Sequence, residues 1–186
     1  MGRYQKTKKN KGYLSAFFLL IFTIGCSYGL YFFKENVTPV VVYGTSMSPT
    51  LRETEKLIMF KTDEINRFDI ISFESPDSLE EYYIKRVIGL PGDSVEYSND
   101  TLYINGKEVA EPYLDDIKKS DFYNKQGNLL TQNFTLLNLD STKEAVVPEG
   151  MLFVLGDNRI ESKDSRFFGF ISQEKVVGKM LKKLGE

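Results

Sequence analysis

The sequence predicts a mostly-β fold: one N-terminal transmembrane helix, then an antiparallel β-sheet domain with a small inserted cap subdomain. Three observations carry that expectation. Leu14 to Phe33 is a run of 20 residues without a charge. At 1.5 Å rise per residue, a helix of that length spans about 30 Å, the thickness of a bilayer's hydrocarbon core. Beyond it, short apolar runs alternate with Pro, Gly and Asn turn signals, the spacing of a strand-rich domain. Glu111 to Val147 departs from that pattern, being polar and rich in Asp, Asn and Lys. A structureless loop of 37 residues does not suit a compact domain, so a small subdomain with its own strands is expected there.

The N-terminal run reads as an uncleaved anchor. Ser15, Thr23, Ser27 and its tyrosines are tolerable, because hydroxyls bond within a helix or sit at an interface. A cleaved signal would have a shorter apolar core followed by a small-x-small site, and "YGLYFF" continues apolar instead. A lipoprotein reading of "FTIGC" puts Thr23 where an aliphatic residue is usual. Arg3, Lys6, Lys8, Lys9 and Lys11 precede the run. The positive-inside rule therefore places residues 1–13 in the cytoplasm and everything after Phe33 outside. The expected divisions are a basic tip at 1–13, the helix at 14–33 and the main β domain at 34–110 and 148–186. The cap subdomain occupies 111–147.

Lys34 to Pro39 reads as a short polar connector. Val40–Tyr43, Leu57–Phe60, Ile70–Phe73 and Tyr82–Ile88 read as strands, the last closed by the turn "GLPGD". Val95–Tyr97 and Leu102–Ile104 read as a hairpin, and Asn105–Gly106 is a second tight-turn signal. Met151–Leu155 follows a Pro/Gly turn. The tail from Ser172 has an amphipathic look, but Val176, Val177 and Gly178 favour a turn followed by a strand.

Charge and composition exclude some functions. The first thirteen residues carry +5, so a chain of net charge −2 leaves −7 on the remainder, which argues against nucleic acid as a partner. One cysteine, Cys26, and no histidine leave no intrachain disulfide and no Cys/His metal site.

The absence of histidine sharpens the question raised by "GTSMSPT". If Ser46 is a nucleophile, its base must be Asp, Glu, Tyr or Lys. A lysine titrates at about 10.4 in solution, and full burial lowers that by roughly 3–5 pH units, into a useful range. Lys85 in "YYIKRVIGLPGD" meets the requirement. On a strand, Tyr83, Lys85 and Val87 share one face and Arg86 points to the other. A serine opening a turn and a lysine on a strand are each ordinary alone. A third segment, "GDNRIESKDSRFFG" at Gly156–Gly169, is dense in polar residues beside predicted core. It reads either as a hydrogen-bonded turn with Asp164 and Arg166 paired, or as the source of a hydroxyl that orients a buried amine.

Together, "GTSMSPTL", "RFDIISFESP", "YIKRVIGLPGD" and "GDNRIESKDSR" resemble, in order and spacing, the bacterial type I signal peptidases. These are Ser–Lys membrane proteases that remove signal peptides. The single anchor and short chain resemble the Gram-positive form. The resemblance implies Ser46 as nucleophile, Lys85 as general base and Ser162 as the hydroxyl holding the lysine amine. It implies an oxyanion hole that includes the Ser46 backbone N–H and the region of Gly44, where some relatives have a serine donor. Val40, Val42, Leu51 and Ile84 match residues lining shallow substrate pockets. Asp157, Asn158, Arg159, Asp164, Ser165 and Arg166 match a supporting network. Ile160-Glu161 and Phe168 depart from the family's pattern, which bears on loop packing.

The implied activity is cleavage of exported preproteins after small-x-small sites, at the bacterial cell membrane, with signal peptides and the lipid bilayer as partners. No metal or cofactor is called for. An extended substrate would pair with Val40–Tyr43 through main-chain hydrogen bonds. Two other readings stay open at this point: a Ser–Lys peptidase dedicated to one pilin or conjugation substrate, and a non-catalytic membrane-tethered binding protein. A self-cleaving repressor shares part of such a β-fold but is cytosolic, which the anchor opposes.

Overall fold

The computed structural model describes residues 11–78, 80–118 and 129–185. The chain falls into two compact units, Met1–Val37 and Thr38–Glu186. The first is dominated by helix α1, Lys11–Asn36. Its 24-residue span Tyr13–Asn36 is long and apolar enough to cross a membrane, and none of it is buried in protein. The Thr23 hydroxyl donates to the Leu20 carbonyl, which satisfies it inside the helix. No polar connector follows: α1 runs on to Asn36, whose side-chain amide donates to the Phe32 carbonyl, and strand β1 begins at Val37.

Strands dominate the second unit. They are β1 (Val37–Val41), β2 (Lys56–Phe60), β3 (Ile70–Glu74), β4 (Tyr82–Gly89), β5 (Val95–Ser98) and β6 (Thr101–Ile104). Then come β7 (Lys107–Val109), β8 (Phe134–Thr135), β9 (Met151–Leu155), β10 (Ile171–Ser172) and β11 (Val176–Leu184). Helices α2 (Asp115–Lys118) and α3 (Ser165–Phe168) are single turns. Among the described residues the strands form a seven-stranded sheet, β1-β2-β11-β3-β4-β9-β10, and a four-stranded sheet, β7-β6-β5-β8.

β4 is paired unevenly. β3 covers Tyr82–Arg86, with Ile71 opposite Lys85. β9 pairs only from Arg86 onward, so Tyr82–Lys85 keep one strand edge unpaired by β9. β1, at the end of the sheet, tolerates Pro39, which has no N–H to give a ladder. The expected strand Val40–Tyr43 is shifted. Val42 has left the ladder: its N–H donates to Glu55 O and its carbonyl accepts from Thr54 N–H, each at 2.9 Å. Its side chain is buried, Tyr43 is exposed, and Gly44 turns the chain away at φ +78°.

In the smaller sheet, Asn99 and Asp100 make the β5–β6 turn and Asn105-Gly106 the β6–β7 turn, all at positive φ, as two-residue hairpins require. β8 adds to the outer edge of β5. This sheet draws strands from both sides of the expected 110/111 boundary. From 111–147 the described residues contribute a 3₁₀ turn at Pro112–Leu114, α2 and β8. Residues 119–128 of that segment lie outside the described ones. The tail is strand, as the β-branched pair Val176-Val177 favours, and β11 sits inside the large sheet between β2 and β3.

Three apolar clusters fill the interior. One joins the two sheets through Ile88, Val95, Tyr97, Phe134 and Phe153. One lies around β3, β4 and β9. The third, containing Val42, Met47, Leu51, Leu57, Met59 and Ile70, sits under the turn that carries Ser46.

Candidate active site

Ser46 is held at the surface by its neighbours. Met47 and Leu51 are 2% and 0% exposed, so their side chains pin the turn to the core. Ser48 N–H donates to Thr45 O and Leu51 N–H to Met47 O, which fixes the backbone between them. The Ser46 carbonyl accepts from Asn158 N–H at 3.0 Å, and Asn158 Nδ2 donates to Thr45 O at 3.3 Å. The Ser46 N–H has no acceptor among the described residues.

Lys85 reaches this turn from β4. It is 4% exposed, and its Nζ lies 2.8 Å from Ser46 Oγ. Nζ also donates to the Ile84 carbonyl at 3.2 Å and stands 5.3 Å from the centre of the Tyr83 ring. Burial pushes the amine down from its ordinary value to about 8, against the opposing pull of the Asp164 and Asp157 carboxylates, which favour the ammonium. The predicted strand alternation is present: Lys85 faces the serine, and Arg86 turns the other way to make a bidentate pair with Asp157.

The loop after β9 wraps the same turn. Asp157 and Asp164 are fully buried. Asp164 accepts from Gly156 N–H, and it also pairs with Arg166 and caps α3. Ser165 Oγ accepts from Val154 N–H. Arg159 donates through Nε to Gly156 O and through Nη2 to Glu111. Ser162 differs from expectation: its Oγ is buried but has no hydrogen-bond partner among the described residues, and it does not bond the Lys85 amine. The amine's contacts are Ser46 Oγ and Ile84 O. Ser162 Oγ and the Ser46 carbonyl oxygen both stand within 2.5 Å of the point where a Cβ on Gly156 would be.

A cleft of about 330 Å³ opens at the pair, lined by Val42, Gly44, Ser46, Tyr83, Ile84, Lys85, Glu161 and Lys163 among others. It continues through Val41, Tyr43 and Tyr82 into a groove of about 810 Å³ that adds Val40, Ser72 and Val177. Of the four expected pocket residues, Val42, Ile84 and Val40 line these spaces. Leu51 does not, because it anchors the serine turn from within the core. Lys163 is paired with Asp77, which also accepts from Tyr83 OH, so the rim of the cleft is tied together.

The sequence reading missed Glu111, Tyr97, Tyr113 and Thr131, which surround Arg159 from β5 of the smaller sheet and the segments that follow β7 and precede β8. A carboxylate between the charged strand "KEV" and "PYL" gave no local cue to a buried partner. Among the described residues no group of His, Cys, Asp or Glu is placed to hold a metal ion.

Comparison with known proteins is consistent across sequence and structure. A family model described as signal peptidase, peptidase S26, matches residues 13–183. Signal peptidase IB of Staphylococcus aureus is 41% identical over 169 residues, covering 88% of this chain and 81% of that protein. Signal peptidase I V of Bacillus subtilis is 46% identical over 143 residues, covering 74% and 79%. The crystal structure of a signal peptidase I from Enterococcus faecalis superposes with a TM-score of 0.58 at 50% identity, covering 62% of this chain and 96% of that one.

Proposed function

The chain belongs to the signal peptidase family, peptidase S26, and is a serine peptidase; from that premise we propose that Ser46 and Lys85 are its catalytic dyad and that it cuts exported preproteins after small-x-small sites. The observation that carries the dyad is the 2.8 Å contact between a buried lysine amine and a serine hydroxyl. General base catalysis needs reach of about 2.6–3.2 Å and a base that is neutral at working pH. An amine titrating at about 8 meets the second need. On the neutral amine an N–H stays with the Ile84 carbonyl, which turns the lone pair toward Ser46, and the serine O–H then donates.

The reaction proceeds by acyl transfer. Lys85 takes the Ser46 proton as Oγ bonds the scissile carbonyl carbon. The oxyanion accepts from the Ser46 N–H. The Lys85 ammonium then gives its proton to the leaving amine as the C–N bond breaks, leaving an acyl ester on Ser46. Water attacks the ester carbonyl as Lys85 takes its proton, and the ammonium then gives that proton to Ser46 Oγ as the ester C–O bond breaks, which releases the signal peptide and restores both the serine hydroxyl and the neutral amine. Ser162 is retained as a candidate for orienting the amine, since its buried Oγ has no hydrogen bond to give up.

A substrate in extended form fits between β1 and the half of β4 that β9 leaves uncovered. Val42 and Ile84 there make shallow apolar walls that suit small side chains. Helix α1 fits a membrane anchor, and the basic residues before it favour a cytoplasmic N-terminus with the body outside. Anchoring raises the effective concentration of substrates held in the same bilayer.

The test is cleavage of a panel of unrelated preproteins across pH. The rate is expected to rise with pH through a limb near 8, falling about tenfold per pH unit below it as the ammonium forms. A limb near 4 would overturn the assignment in favour of a carboxylate. Cleavage of a single panel member only would point to a dedicated peptidase. Asp164→Asn should move the limb to lower pH, because Asp164 is the foremost charge favouring the protonated amine. A limb that stays or moves up refutes that electrostatic account.

A further inference from the structure

We propose that Glu111, with Tyr113, is a positioning residue for the catalytic serine, acting through Arg159 from the segment that leaves the smaller sheet after β7. The inference rests on the Ser46–Lys85 reading above. Glu111 follows β7, far in sequence from every catalytic motif, and is 6% exposed. Its Oε1 alone accepts from Arg159 Nη2 at 2.5 Å, Tyr97 OH at 2.6 Å and Tyr113 OH at 2.6 Å. Burial, foremost, raises the pKa of both phenols, so they stay neutral donors. Three donors converging on one oxygen leave the Arg159 guanidinium a single orientation.

That orientation is transmitted. Arg159 Nη1 donates to Tyr97 OH and Thr131 Oγ1, while Nε turns back to Gly156 O at 3.1 Å. Gly156 begins the segment whose Asn158 N–H holds the Ser46 carbonyl. Tyr113 adds a second hold. Its ring covers the Arg86 guanidinium at 3.8 Å, and Arg86 grips Asp157 in the same segment while standing next to Lys85 on β4. The smaller sheet therefore clamps residues 156–158 through two arginines, and those residues set the serine turn against the lysine. A free loop could not hold an attack geometry to a fraction of an ångström, and a displacement of about 1 Å costs on the order of 10²-fold in rate.

A structural residue and a positioning residue differ in what they do to the folded enzyme. The full chain is measured in detergent on one preprotein, with active sites titrated by a serine acylating agent. Glu111→Gln keeps the shape and removes the charge that fixes Arg159. Its kcat per folded molecule should fall by about 10²-fold with KM within twofold. Tyr113→Phe keeps the ring over Arg86 and loses one donor, and Thr131→Val removes one acceptor of Arg159. Each should lower kcat by about three- to tenfold, again without moving KM, and these two carry the test if Glu111→Gln does not fold. Wild-type kcat per folded molecule, with only the melting temperature reduced, overturns the proposal, as does a raised KM at unchanged kcat. Ser46→Ala is run alongside. If it still cleaves, the dyad reading fails; if it is inactive while the Glu111, Tyr113 and Thr131 variants turn over normally, only the positioning role fails.

Discussion

Lys85→Met is expected to fold at least as well as the wild type and to lose preprotein cleavage by about 10²–10⁴-fold, the usual worth of a positioned general base. The thioether has nearly the lysine's length and no proton affinity at working pH. Lys85 is buried, and replacing a buried cation with an apolar side chain of similar volume is commonly neutral or stabilising. Stability and activity should therefore move apart, which separates a catalytic lysine from a structural one. Ser46→Ala should be inactive and equally well folded, since only a half-buried hydroxyl is removed. Thermal unfolding and a preprotein cleavage assay on the same samples read both quantities. Cleavage at the wild-type rate by either variant rejects the dyad.

Gly156→Ala is expected to be nearly as damaging, although residue 156 touches no substrate. A Cβ at that position would stand 2.4 Å from the Ser46 carbonyl oxygen and 2.1 Å from Ser162 Oγ. The Ser162 hydroxyl can rotate away, but its Cβ, 2.5 Å from the same point, cannot, and the carbonyl is backbone that moves only with the serine turn. That turn is pinned by Met47 and Leu51 in the core, so the strain falls on the hydrogen bond from Asn158 and on the placement of Oγ. A shift of about 1 Å predicts a loss on the order of 10²-fold in kcat. The check is kcat together with a crystal structure of the variant. Full activity with an undisplaced turn would show that the contact yields more easily than its geometry implies.

Much of the site was legible because it depends on short-range rules. Strand alternation separated Lys85 from Arg86, and the missing histidine forced attention onto a buried amine. Contacts between distant segments were not legible. Glu111 meets Arg159 across 48 positions, and nothing local in "VAEPYL" names its partner. Leu51, which the resemblance matched to a pocket position, is buried in the cluster under the serine turn, and its burial depends on tertiary packing that the sequence does not display. The strand before the serine was expected to end two residues late, since its end is set where Val42 N–H donates to Glu55 O and the Val42 carbonyl accepts from Thr54 N–H. The 111–147 segment was read as self-contained from its composition, whereas pairing of β8 with β5 is decided by tertiary contact.

The uncovered edge of β4 makes the groove receptive, and the same property makes it a hazard. Bare strand edges recruit one another, and self-association through them is a general route to aggregation. Two features oppose that here. Pro39 removes one amide proton from β1, and exposed Glu80 and Glu81 crowd the entrance of β4. Two copies meeting edge to edge would bring carboxylates from both into one seam, whereas a visiting uncharged peptide brings none. Receptivity toward guests is thus kept apart from stickiness toward siblings.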